Sequence, residues 1–183
     1  MVINRHHSLS PIQIIDLKLG IPQNYKQECI NEIYKIGNSV DGPTNLTSLR
    51  STYQVWKETK VLNILIGNIL TVLHEITPPH DERYYYDLVN AWSAIYKKGH
   101  YAKLHCHIPA HISFVYYFKS TGNTPLIFDE CNFKLNPTDD TLVIFPSYLK
   151  HSVPPHNDKE DRICLAGNVW WELKQNKEWN NKT

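Results

Sequence analysis

The sequence predicts a mainly β domain of the α+β kind, a sandwich or jelly-roll barrel buttressed by helices. Three observations predict it. Seven short apolar segments follow Pro79, separated by turn-forming clusters. Two stretches with the apolar stripe of a helix both precede that proline. The 183 residues contain neither an internal repeat nor a linker, the length of one ordinary domain and enough chain to bury a core.

The elements follow in order. IQIIDLKLG, from Ile12, alternates loosely and reads as a first strand. QNYKQECINEIYKIGN places Tyr25, Cys29, Ile30, Ile33 and Ile36 on one helical face, and Gly37 ends it. VDGPTNLTSLR reads as a loop, and Lys60–Ile76 as a second helix closed by Thr77-Pro78-Pro79. The strands are then Tyr86–Tyr96, Ala102–His107, Ile112–Lys119, Pro125–Phe128, Thr141–Pro146, His151–Pro154 and Arg162–Trp171. The expected organisation is one domain over residues 1–183, with a helical N-terminal part to about residue 80 and a β core over about 81–173.

Charge narrows the function. Lys and Arg number 19 and Asp and Glu 18, a net charge of +1. Such a balance supplies no basic track for nucleic acid or an anionic membrane. The longest apolar run, VLNILIGNILTVL, is too short and too interrupted to span a bilayer, and the N-terminus lacks the apolar core of a signal peptide. Four scattered cysteines without a CxxC fit a reducing cytoplasm.

The chemistry concentrates in LHCHIPAHISFVYYF, Leu104 to Phe118. Side chains alternate across a strand, so His105 and His107 point the same way and can grip one metal ion. A third ligand must come from elsewhere. His151, after the apolar segment TLVIFPSYL, is the candidate a neighbouring strand would carry there. Arg162 follows eleven residues later at the start of another strand. A guanidinium aimed into a barrel needs an anionic partner, and a dicarboxylate held by a bidentate fork is one. On the same strand face, Cys164, Ala166 and Asn168 follow Arg162, and Asn168 reaches toward the pocket. Ser113, on an alternating strand, is a candidate contact to that dicarboxylate. Tyr101 shares parity with His105 and is expected to line the pocket. His111 reads as a rim or structural histidine, Trp92 as packing, and Trp170 and Trp171 as core or cover.

This pattern resembles the motif of the iron(II)/2-oxoglutarate-dependent oxygenase superfamily, HxD/E…H…Arg/Lys. The resemblance implies a double-stranded β-helix and a cofactor set of Fe(II), 2-oxoglutarate and O2. It implies His105, His107 and His151 as metal ligands and Arg162 as the residue that binds the distal carboxylate of 2-oxoglutarate. Tyr96-Lys-Lys-Gly99 is similar to the Y-x-x-G of prolyl-hydroxylase-like members, whose tyrosine contacts 2-oxoglutarate. A narrower resemblance is to an uncharacterised prolyl-hydroxylase-like subfamily, through Tyr53-Gln-Val-Trp56, Gly99 to Tyr117, and Phe145 to Asn168. Two departures stand out: His107 occupies the carboxylate position, and Arg162-Ile-Cys164 replaces Arg-x-Ser with a weaker donor. The implied activity is hydroxylation of a protein side chain or a small molecule, with 2-oxoglutarate converted to succinate.

Two readings compete. Gly99-x5-His105-x-His107 and Pro146-x4-His151 also resemble the two cupin motifs. There, however, His111 stands where the cupin glutamate belongs, Tyr148 where the glycine belongs, and Arg162 has no task. The other reading is a jelly-roll binding module whose histidines are incidental.

Overall fold

The structure is a computed structural model that describes residues 2–9, 12–37, 45–79, 81 and 83–174. Two antiparallel sheets and a helical layer make up the molecule. The strands are β1 (Val2–Leu9), β2 (Ile12–Lys18), β3 (Leu49–Arg50), β4 (Tyr84–Tyr96), β5 (Ala102–His105), β6 (Ile112–Lys119), β7 (Leu126–Phe128), β8 (Phe133–Leu135), β9 (Thr141–Pro146), β10 (His151–Val153) and β11 (Arg162–Leu173). The helices are α1 (Gln23–Ile36), α2 (Val55–Glu58) and α3 (Lys60–Ile76). The larger sheet runs β1-β2-β9-β6-β11-β4-β3 and the smaller β5-β10-β7-β8.

The two faces of the larger sheet have different partners. Along β11, Ile163 and Leu165 face the helical layer and join Ile33, Leu62, Leu65 and Ile69 in one core. Cys164 and Ala166 face the smaller sheet and join Trp92, Tyr117, Phe128 and Phe145 in a second. This is the period-two alternation of a strand buried on both sides. α3 presents Val61, Leu62, Leu65, Ile66, Ile69 and Leu73 inward, a stripe at i, i+3, i+4 spacing. Gly167 is required by close approach: a Cβ there would lie 2.4 Å from the Phe114 ring.

The expected strand and helix pattern is present, with differences. β2 is the expected first strand; with β1 it extends the larger sheet through β9, and β3, which was not expected, closes the other edge. β1 has no clean alternation in VINRHHSL, which is why the sequence did not declare it. β3 and α2 lie in stretches read as loop or left unassigned, and both are shorter than any periodicity can reveal. β8, three residues long, was missed for the same reason. The predicted loop at 40–50 lies outside the described residues over 40–44. Among the described residues, no helix is long and apolar enough to cross a membrane.

Candidate active site

β5 and β10 pair antiparallel with His105 directly opposite His151. Two residues past the end of β5, His107 donates its backbone N–H to the Ser147 carbonyl (2.8 Å), which holds the turn against the end of β9. The candidate ligand atoms of the three imidazoles all lie within 4.8 Å of one another. Their ring centroids are 4.4 to 5.0 Å apart.

Each flanking histidine has its tautomer set by the chain that carries it. His105 Nδ1 sits 2.6 Å from the Lys103 carbonyl and His151 Nδ1 3.0 Å from the Leu149 carbonyl. A carbonyl only accepts, so Nδ1 carries the proton and Nε2 keeps its lone pair. His107 packs its ring against Trp92. Burial lowers the pKa of all three, to about 3 for His151 and about 4 for His107. The His105 charge adds to the depression of the other two. The cluster is neutral at pH 7, the protonation state a metal requires.

Two cavities meet at these histidines, sharing Leu46, Trp92, His105 and His107. The outer one is an open cleft of about 260 Å³. The inner one is a narrow pocket of about 40 Å³ between the sheets, and Arg162 opens onto it. Arg162 is 1% exposed, and none of its three guanidinium nitrogens has a hydrogen-bond acceptor among the described residues. Its guanidinium carbon lies 4.8 Å from the Tyr117 ring centroid and 5.6 Å from that of Tyr96. Tyr96 is its cross-strand partner in the β4–β11 ladder. Burial pushes the Tyr117 phenol up to about 12 and the Cys164 thiol up to about 11, with the guanidinium opposing both. The pocket thus holds one fixed positive charge among neutral groups.

The strand arrangement matches solved structures over most of the chain. A viral collagen prolyl hydroxylase from Paramecium bursaria Chlorella virus 1, solved with 2-oxoglutarate, aligns at TM-score 0.64 and 17% identity over 85% of this chain and 94% of its own. A prolyl-4-hydroxylase from Pseudomonas putida aligns at TM-score 0.61 and 14% identity over 92% and 96%. HygX from Streptomyces hygroscopicus, with nickel and 2-oxoglutarate bound, aligns at TM-score 0.67 and 9% identity over 86% and 82%. The fold is that of the 2OG-Fe(II) oxygenases. Residues 128–168 also match the family model described as "Putative 2OG-Fe(II) oxygenase", a span that includes His151, Arg162 and Asn168. No curated protein sequence matches the chain.

Within this oxygenase fold the sequence-derived candidates divide. His105, His107, His151, Arg162 and Tyr96 all border the inner pocket. Tyr101 borders neither cavity. The register of β5 slips by one residue between Ala102 and His105, so Ala102 faces inward in its place. Ser113 is fully buried behind the cleft and donates to Asn168 Oδ1 at 2.7 Å. Asn168 borders the outer cleft and not the inner pocket, because six residues along a strand carry it about 20 Å from Arg162. His111 is occupied elsewhere, its Nδ1 accepting from the Trp171 backbone N–H. Trp170 and Trp171 are 39% and 37% exposed rather than core, since β11 runs past the end of β6 at Val169. His156 is a buried structural histidine bonded to Thr124 Oγ1 and the Glu160 carbonyl. Tyr117, which closes the Arg162 pocket, was legible only as one of two adjacent tyrosines on opposite strand faces.

Proposed function

We propose that the chain is an iron(II)- and 2-oxoglutarate-dependent dioxygenase that hydroxylates a C–H bond of a protein side chain or a small molecule. 2-Oxoglutarate would be decarboxylated to succinate in the same turnover. The observation that carries this reading is Arg162, a buried guanidinium without an acceptor among the described residues, opening onto the pocket that the three histidines border. A buried charge of this kind is tolerated where a ligand completes it, and a carboxylate matches its fork. The solved relatives bound to 2-oxoglutarate support the same choice.

The residues fit the cofactor set. Nε2 of His105 and His151, left free by their Nδ1 hydrogen bonds, and a ring nitrogen of His107 would hold the iron. Arg162 would take the distal carboxylate of 2-oxoglutarate, with Tyr96 and Tyr117 walling the pocket around it. Bound iron with the keto acid supplies the activation of O2 for attack on a C–H bond. The protein's own part is orientation and exclusion of water: carbonyls fix two imidazoles, and the inter-sheet core keeps the pocket apolar. With His107 in place of a carboxylate the ligand set is neutral, so the centre is one charge more positive than a two-histidine, one-carboxylate site. The four cysteines are unpaired, in keeping with a reducing, cytoplasmic setting. A cupin-like metalloprotein that does not use 2-oxoglutarate is the alternative, and it leaves Arg162 without a task.

The test is anaerobic. Apoprotein loaded with Fe(II) and then 2-oxoglutarate is expected to develop a visible metal-to-ligand charge-transfer band. Arg162→Ala should weaken the band and His151→Ala abolish it. Bound iron without a band would favour the cupin reading, and no bound metal a binding module.

A further inference from the structure

We infer that the outer cleft binds an uncharged peptide segment, and that Asn90 donates its side-chain amide to a carbonyl of that segment beside the three histidines. The inference deepens the oxygenase reading and rests on it only for what the histidines hold.

The first observation is the absence of charge. Among the described residues that line the cleft there is no Asp, Glu, Lys or Arg. A charged group entering it would lose hydration without gaining a partner. The second is the wall. Val89, Ile108, Pro109 and Ala110 line it with apolar surface, and Ile108 is 67% exposed at its mouth. Tyr53, 44% exposed, stacks edge-on against Trp92, with centroids 5.3 Å apart. The apolar wall offers surface to an apolar side chain, and Asn45, Asn90 and Asn168 offer uncharged polar groups to the amides of a peptide backbone.

The third observation sets the polarity of the hydrogen bond. A chain of side chains runs from the sheet interior to the cleft: Ser147 to Ser113 (2.9 Å), Ser113 to Asn168 Oδ1 (2.7 Å), and Asn168 Nδ2 to Asn90 Oδ1 (2.7 Å). Asn168 accepts at its oxygen and donates from its nitrogen, so Asn90 must receive at its own oxygen. The Asn90 amide nitrogen is then left as a donor at the cleft, and its complement is an acceptor. A backbone carbonyl supplies one without charge. Ser147 also receives the His107 backbone N–H through its carbonyl, so the chain that orients Asn90 ends at a candidate ligand.

The experiment uses the full chain with Mn(II) and 2-oxoglutarate, without O2, and repeats it without metal. It is probed with arrays of N-acetylated, C-amidated hexapeptides, half with uncharged centres and half with Asp or Lys at the centre, beside a neutral oligosaccharide array. Uncharged peptides should bind and the others should not. Asn90→Ala and Asn90→Asp should each weaken binding by about tenfold, the worth of one hydrogen bond. The aspartate keeps the acceptor for Asn168, removes the donor and adds a charge, whereas the alanine removes the donor without adding one, so the hydrogen bond is read from the loss the two variants share. Preference for charged peptides, binding of oligosaccharides alone, binding of nothing, or unchanged affinity in Asn90→Asp would each overturn the inference. The Fe(II)/2-oxoglutarate band of the wild-type chain is recorded first. Its absence counts against the oxygenase reading, whereas a band without peptide binding counts against this inference alone.

Discussion

His105 and His151 face each other across the β5–β10 pairing, and each bonds its Nδ1 to the carbonyl two residues before it. The same local device thus sets both tautomers, and it comes from two strands that are adjacent in space and 46 residues apart in sequence. The imidazoles are pre-oriented before any ion arrives, so little ordering entropy opposes binding.

Metal affinity should therefore depend on each histidine. Structural zinc sites bind with about 10–16 kcal/mol over four ligands, so one ligand is worth about 3 kcal/mol, or roughly 100-fold. Alanine at His105, His107 or His151 should weaken Co(II) or Mn(II) binding by about that factor in equilibrium dialysis. A variant that binds like the wild type would remove that residue from the ligand set.

Stability of the metal-free protein should fall in acid. Burial holds the folded pKa of His107 and His151 at about 4 and about 3, below the ordinary 6.5. As the pH drops below 6.5 the unfolded chain takes up protons that the folded chain refuses. Stability is full above 6.5 and is lost as the pH falls toward 4 and 3. The expected loss between pH 7 and 4.5 is about 5 kcal/mol from these two groups together, read as a shift in urea midpoint. His151→Gln should flatten the profile, and an unchanged profile would show that the cluster titrates normally.

Replacing Arg162 by methionine should separate stability from function. The guanidinium is buried and lacks an acceptor among the described residues, so the fold carries its desolvation cost. Exchanging buried charged groups for apolar side chains of similar size gains about 1–4 kcal/mol in other proteins. The Arg162→Met apoprotein should melt higher than the wild type in calorimetry and show a weakened 2-oxoglutarate-dependent band. A lower melting temperature would mean that the cation stabilises the fold through the Tyr117 and Tyr96 rings.

Gly167→Ala should destabilise without touching the histidines. Its Cβ would meet Phe114 ring atoms at 2.4 and 2.7 Å and the Asn90 carbonyl at 3.1 Å. Overpacking of this kind costs about 1–3 kcal/mol. Thermal denaturation checks it, and a melting point equal to the wild type would show that the Phe114 ring yields freely.

Legibility in the sequence followed the range of the interaction. α3 was readable to its ends because six inward side chains repeat at helical spacing and two prolines stop it. The histidine pair was readable from spacing, and Arg162 from the oddity of a cation opening an apolar strand. What remained hidden was non-local. The slip in β5 that turns Ala102 inward, and so takes Tyr101 off the pocket, depends on pairing with β10. The exposure of Trp170 and Trp171 depends on where β6 ends. Asn90 became meaningful only once the ladder set it opposite Asn168.

The outer edge of β5 has a neighbour from far upstream. Lys103 N–H bonds the Asn45 carbonyl, Thr47 N–H bonds the Tyr101 carbonyl, and Leu46 bridges to Ala102. Asn45 and Leu46 also line the cleft. A chain starting at residue 81 would keep the three histidines and Arg162, yet it would present a bare strand edge beside a half-walled cleft. Exposed edges recruit other strands. The upstream segment therefore does two things at once: it covers the edge of the strand that carries His105, and it completes one wall of the cleft.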